Sequence, residues 1–354
     1  NASGATGILA NAGTSGDIVN SGTIAIDEPY TPTDTDNDGD LDGPFALGSN
    51  RFGIRTAGGH IGKILNSGTI TVEGNDSAAI WLGGPLTGAF THDGTSNVTG
   101  NRSVGVHAEA ISGNVRLAGT VTAKGENAVG ARFTGDVAGA MVVQGSIAAT
   151  GYRYTSVPAN ASKLDADDLL QGGSALIVEG SVSGGIVLAV APKDNSTTDP
   201  DEDDDGIEDA KEGSALVTSY GAAPAMMIGA TDRAITIGPV AGTASQFGLI
   251  VDGKIDGAGL YSGVEANGLL IGGRGGAVTI ANGMGIAGTV SATSNGASAT
   301  ALRLGAGASV PVVQVSGTVS AAGGNASTAQ ATAIRIDQGA TVPTIRNSGT
   351  VKAT

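Results

Sequence analysis

The stretch "ILNSGTITV", Ile64 to Val72, is nearly repeated as "IVNSGTIAI" (Ile18 to Ile26) and as "TIRNSGTVKA" (Thr344 to Ala353). Copies placed so far apart imply one structural unit written many times, so the repeat decides the fold. Looser copies fill the interval: "VRLAGTVTA" at Val115, "MVVQGSIAA" at Met141, "LIVEGSVSG" at Leu176, "LIVDGKIDG" at Leu249, "GMGIAGTVSA" at Gly283 and "VVQVSGTVSA" at Val312. Their shared centre is Gly followed by Thr, Ser or Lys and then by Ile or Val.

A second phrase alternates with the first: "SAAIWLGG" (Ser77), "SVGVHAEA" (Ser103), "AVGARFTG" (Ala128), "SALIVEG" (Ser174), "SALVTSYG" (Ser214), "NGLLIGG" (Asn267), "TALRLG" (Thr300) and "TAIRID" (Thr332). Both phrases alternate with period two over a few residues and end in Gly or Asn-Gly, which predicts short strands joined by tight turns. Ala128 to Gly151 fits three such strands into one repeat of roughly 25 residues, the plan of a parallel β-helix whose coils stack about 4.8 Å apart. The expected fold is all-β: a single right-handed parallel β-helix over residues 1–354, of about ten coils. Ile24, Ile26, Ile70 and Val72 should then point inward and stack coil on coil. A propeller blade would need about 40 residues and more aromatic side chains per repeat.

Composition agrees. The 354 residues include 60 Gly but only one Trp, five Tyr and five Phe, which suits an interior layered with small and β-branched side chains. The absence of Cys excludes disulfides and thiolate metal sites. A formal charge of −15 argues against nucleic acid as a partner. The acid excess is local: fourteen of the 33 carboxylates lie in two windows, and the other nineteen nearly balance eighteen Lys and Arg. No apolar run approaches the ~20 residues of a membrane-spanning helix.

Three segments break the rhythm, at about 27–49, 152–173 and 192–213. They read as insertions at coil corners, where they leave the core intact and can form a binding surface. The second contains "SKLDADDLLQGG", which suggests one or two helical turns. The other two carry the acids. "DTDNDGDLDGPF" offers Asp34, Asp36, Asp38, Asp40 and Asp42 at alternate positions, with Gly39 for a sharp turn. "DEDDDGIEDAKE" places Asp201, Asp203, Asp205, Asp209 and Glu212 at positions 1, 3, 5, 9 and 12 of a twelve-residue loop. Alternating oxygens that curl around an ion are calcium chemistry, so these ten residues are the expected Ca2+ ligands. Both loops resemble EF-hand, dockerin and thrombospondin type 3 loops, although Phe45 stands where the first would need its bidentate Glu.

No catalytic constellation emerges. His60, His92 and His107 lack metalloprotease or deaminase spacing, and His107 reads as an outward-facing surface residue. Arg116, Lys124, Arg132 and Asp136 are the candidates for a polysaccharide-active face. "GGRGG" at Gly272 lacks the phosphate-loop pattern and reads as a turn.

Runs such as "NSGTITV" and "AGTVTAKGENAVGARF" resemble the passenger domains of bacterial autotransporters. That resemblance covers nearly the whole chain and implies a β-helix displayed at the surface of a Gram-negative cell. Attachment to the outer membrane would come through a separate barrel that is not present here. It also implies a fragment or processed passenger, since "TIRNSGTVKAT" is still mid-repeat. The expected function is that of a secreted or cell-surface adhesin or scaffold, not an enzyme. Its partner would be a ligand on a host or neighbouring cell, or an extracellular polysaccharide. Two alternatives stay open: a polysaccharide lyase or hydrolase on the same solenoid, and a self-associating surface-layer or filament subunit.

Overall fold

The computed structural model describes residues 3–354 apart from 36, 38–40, 158–163, 194, 197, 203–207 and 325–326. Among the described residues, strands form three ten-stranded sheets in which every named pairing is parallel, with two short three-stranded sheets at one corner. The chain visits the large sheets in a fixed order, so each circuit is one coil of a parallel β-helix and ten coils stack. Sheet 1 starts with Thr6–Ala10 and Phe52–Thr56, sheet 2 with Ile18–Asn20 and Ile64–Asn66, sheet 3 with Thr23–Ile26 and Thr69–Glu73. The coil period is legible in the register: Phe90 pairs with Ile64, 26 residues before it, and with Val115, 25 residues after it.

The first phrase is the passage from sheet 2 through a corner into sheet 3. Ile70 stacks between Ile24 and Ser96, Val72 between Ile26 and Val98, and both Ile70 and Val72 are fully buried while Thr71 faces outward. The Gly of the phrase is required by the closeness of the coils. A Cβ on Gly68 would overlap the carbonyl oxygen of Gly22, one on Gly94 that of Gly68, and one on Gly119 that of Gly94. Just before this corner, Asn20, Asn66 and His92 occupy one inward row. Asn20 Nδ2 donates to Asn66 Oδ1 (2.7 Å), and Asn66 Nδ2 donates to His92 Nδ1 (3.1 Å). That leaves His92 Nε2–H to donate to Thr120 O (3.2 Å). Burial pushes the His92 pKa down, as expected for an imidazole kept neutral away from water.

The second phrase is sheet 1. Its pairing skips one residue per strand: Thr6 pairs with Phe52 and Ile8 with Ile54, while Gly7 and Gly53 are passed over. The skipped residue and its successor both lie against the core. The skipped position, or in the sixth and seventh coils the residue just before the strand, is Gly or Ala throughout: Gly7, Gly53, Ala79, Gly105, Gly130, Ala175, Ala225, Gly268, Ala301 and Ala333. There is no room for more, since a Cβ on Gly105 would already meet Val121 Cγ1 and Gly130 O.

Two quoted copies belong elsewhere. "SALVTSYG" at Ser214 lies in sheet 3, whose strand there is Leu216–Tyr220, and "LIVEGSVSG" at Leu176 begins in sheet 1 with Leu176–Val178. The sixth coil's first phrase is split: its sheet 2 strand is Ile186–Leu188, and the third insertion separates it from Leu216–Tyr220.

Candidate functional site

The insertions leave the coils at two corners. The first follows Thr23–Ile26 and the second follows Ser146–Thr150, so both emerge where sheet 3 turns into sheet 1, four strands apart. At ~4.8 Å per strand their roots are roughly 19 Å apart. The third lies between Ile186–Leu188 of sheet 2 and Leu216–Tyr220 of sheet 3, at a different corner.

The first insertion is pinched at its neck. The Glu28 carboxylate accepts hydrogen bonds from Leu47 N (3.0 Å) and Gly48 N (3.1 Å) and faces Arg51 Nη1 at 3.6 Å. Both side chains of this ion pair are 2% exposed. Arg51 Nη1 also donates to Glu73 O (2.7 Å), while Glu73 Oε2 accepts from Glu28 N (2.8 Å). Taking Glu28 and Arg51 out of water is costly, and the backbone donors around the carboxylate are what offset that cost. Further out, Thr33 and Asp42 form an antiparallel bridge, and Asp42 accepts from the amide and hydroxyl of Thr35.

The second insertion folds onto the first. Gly43 N donates to Asp167 Oδ2 (2.9 Å), and Arg153 donates to Gly43 O while its guanidinium lies 4.8 Å from the centre of the Phe45 ring. Arg153 also pairs with Asp167 at 3.4 Å. Beneath them Tyr152 packs edge-on against Tyr261 at 4.5 Å, and Tyr261 donates to Tyr154 O (3.1 Å). Its described residues contain a turn at 166–169 and no helix. Asp167 N bonds to Asp165 Oδ1 (3.0 Å) and Asp165 N to Asp168 Oδ2 (3.2 Å), the local side-chain bonds that compete with helix.

This convergence gathers Asp42, Asp165 and Asp167, whose carboxylate oxygens lie within 4.8 Å of one another. Among the described residues it is the one such grouping of three acids or histidines. Desolvation and then the neighbouring Asp165 raise the pKa of Asp167, while the hydrogen bond shared with Asp167 lowers that of Asp165. Crowded carboxylates of this kind suit a hard cation that would remove their repulsion. Arg153 already offsets part of it.

Of the ten expected calcium ligands, Asp36, Asp38, Asp40, Asp203 and Asp205 lie outside the described residues. Asp34 is exposed and caps Asn37 N (2.7 Å). Asp42 joins two aspartates that were not among the ten, Asp165 and Asp167; their signal in the sequence is the alternation in "DADD". Asp201 is half-buried in the third insertion. Asp209 is buried at the start of a 3-10 turn, Asp209–Lys211, and accepts from Glu202 N at 3.4 Å. Glu212 turns onto the solenoid body, where its fully buried carboxylate meets Arg116 Nη2 at 3.0 Å; Arg116 also lies 3.5 Å from Asp93.

The candidates for a polysaccharide-active face stand on separate sheets: Arg116 on sheet 2, Lys124 on sheet 3, Arg132 on sheet 1. Arg132 and Asp136 do come into one neighbourhood. Arg132 and Arg274 pair with Glu179 at 2.8 and 2.5 Å, and Arg233 pairs with Asp136 at 3.2 Å. Burial pulls Glu179 upward, but the two guanidinium groups outweigh it and hold the carboxylate below its ordinary pKa. His107 faces outward as expected, yet it is only 9% exposed. It stacks on Trp81 at 3.9 Å, and desolvation followed by the charge of Arg132 lowers its pKa to about 4.

Between the neck of the first insertion and the start of the second lies a cleft of about 250 Å³, lined by Glu28, Tyr30, Pro32, Leu41, Phe45, Glu73, Thr99, Lys124, Arg153 and Tyr154. Its floor is the outer row Glu73, Thr99, Lys124 of sheet 3, in register on three successive coils. No family model, no curated protein and no solved structure matches the chain, so its function has to be argued from these groups.

Proposed function

We propose that the chain works by binding: it is a β-helical scaffold of the autotransporter-passenger kind, displayed outside a Gram-negative cell, and acts as an adhesin or surface scaffold. The single observation that carries this reading is the meeting of two insertions whose roots are four coils apart, through Gly43, Phe45, Arg153 and Asp167. A rigid solenoid supplies fixed corners, and loops joined across them make a continuous surface with a shaped cleft. The sequence resemblance supports the location. Calcium belongs to the same proposal: the Asp42, Asp165, Asp167 cluster would hold Ca2+, as would the carboxylates of the 201–212 loop other than Glu212, which Arg116 already holds. Ca2+ is a hard ion that takes carboxylate oxygens and completes its shell with carbonyls and water.

The test is adhesion of beads coated with the purified chain to epithelial and bacterial cell layers. The control is a variant in which residues 29–46 are replaced by a short Gly-Ser turn that keeps Glu28 and Gly48. Wild-type beads are retained, and retention falls on replacing the loop and on chelating calcium. Equal retention for the loop-replaced variant, or none for either protein, contradicts the reading.

A further inference from the structure

The charges in the cleft are not equally committed. Glu28 is held by Arg51 and two amides, and Glu73 accepts from Glu28 N, so both acids serve the neck of the insertion. Arg153 is engaged by Gly43 O and Asp167, though its buried Nε has no acceptor among the described residues. Lys124 differs. It is half-buried, its one described hydrogen bond goes to the neutral carbonyl of Arg153 at 3.3 Å, and no described carboxylate lies within ion-pair distance. A partly desolvated cation without an anion is energetically incomplete, and an anionic group entering the cleft would complete it.

The rest of the lining says what carries that anion. Tyr30 is half-buried and Tyr154 is 41% exposed, and both line the cleft together with Thr99. Ring faces match the C–H face of a sugar, while phenol and threonine hydroxyls match its alcohols. A cleft of about 250 Å³ accommodates a single sugar unit.

We propose that this cleft binds a carboxylated sugar unit of an acidic polysaccharide, with the carboxylate on Lys124 and the ring against Tyr30 and Tyr154. This rests on the reading of the chain as a displayed binding protein and names the ligand class for its cleft. No bond is made or broken.

The experiment is titration calorimetry of the full chain with tri-galacturonate and with the same trisaccharide reduced at its carboxyl groups. Wild type binds the acid form at least ~10-fold more tightly than the reduced form, as a charge-assisted contact requires. Lys124→Met removes that preference with an unchanged melting temperature, and Tyr154→Ala weakens both ligands alike. Equal affinity for the two sugars, an undiminished preference in Lys124→Met, or no heat with either sugar overturns the proposal. If Lys124→Met fails to fold, the reduced sugar on wild type and Tyr154→Ala still decide. Beads that adhere to cells while no sugar binds would refute the ligand class and leave the adhesin reading standing; beads that fail to adhere while the acid sugar binds would do the reverse.

Discussion

The inner rows of the solenoid are matched through the coils, whereas its corner between sheets 3 and 1 is matched only in some of them. Along the rows each residue is answered by the next coil, so Ile24, Ile70 and Val121 share one column and the skipped position of sheet 1 never exceeds Ala. At the corner the matching is only partial: Gly74, Gly100 and Gly125 stack too closely for a Cβ, and Asn75, Asn101 and Glu126 answer one another by hydrogen bonds, but other passages leave that pattern. One passage there is short, between Thr95–Thr99 and Val104–Ala108, while two others expand into insertions held by Glu28, Arg51, Arg153 and Asp167. Repetition therefore fixes the frame, and freedom from repetition is where recognition chemistry can accumulate.

The sharpest way to break that contrast is at Ile70, fully buried between Ile24 and Ser96. Ile70→Asp should cost about 4 kcal/mol by urea unfolding, because it buries an unpaired carboxylate, whereas Thr71→Asp on the outer face should stay within ~0.5 kcal/mol. Equal losses would mean that the inward and outward rows are wrongly assigned.

Arg51→Met comes next, at about 3 kcal/mol, since it leaves Glu28 buried without its guanidinium. Limited proteolysis should then cut within 29–46 while the coils resist. Loss confined to global stability, with no new cleavage there, would remove Arg51 from its role as the clamp of the neck.

His107 sharpens the comparison on the outer face of the frame. Its pKa in the fold is about 4, against ~6.5 in the unfolded chain, so the unfolded state binds the extra proton between those values. The stability it contributes is fully present above pH ~6.5, is lost as pH falls toward 4, and changes no further below. Wild type should lose about 2 kcal/mol more than His107→Gln over that window, after allowance for partial solvent screening. His92, shifted in the same direction by burial, is common to both proteins and cancels. Parallel pH profiles would contradict the assignment.

The smallest effect belongs to the third insertion. Glu212→Gln should cost about 1 kcal/mol, because Arg116 keeps Asp93 as a partner, and should speed cleavage within 192–213 only. Faster cleavage in the first insertion as well would mean that the two corners are coupled.

Much of this frame was readable from the residues, because period-two alternation and a Gly at each corner are direct consequences of coil stacking. Reading failed where an insertion cut the phrase. With Ile186–Leu188 and Leu216–Tyr220 separated by acids, look-alike runs at Leu176 and Ser214 took their places. The third coil departs from the phrase, because its corner carries His92 where the phrase has Asn and its core row carries Ser96 where the phrase has an aliphatic. Acid alternation flagged Asp42, but the approach of Asp165 and Asp167, and the cleft around Lys124, depend on two loops meeting across four coils. No local pattern encodes that.

Because the chain has no Cys, Leu41→Cys with Tyr154→Cys gives two unique spin-label sites, one on each insertion and both on the cleft wall. Pulsed EPR should return one narrow distance, shorter than the roughly 19 Å that separates the roots of the two insertions at ~4.8 Å per coil. A broad distribution, or one centred at or beyond that root spacing, would show that the insertions do not meet and would contradict the account.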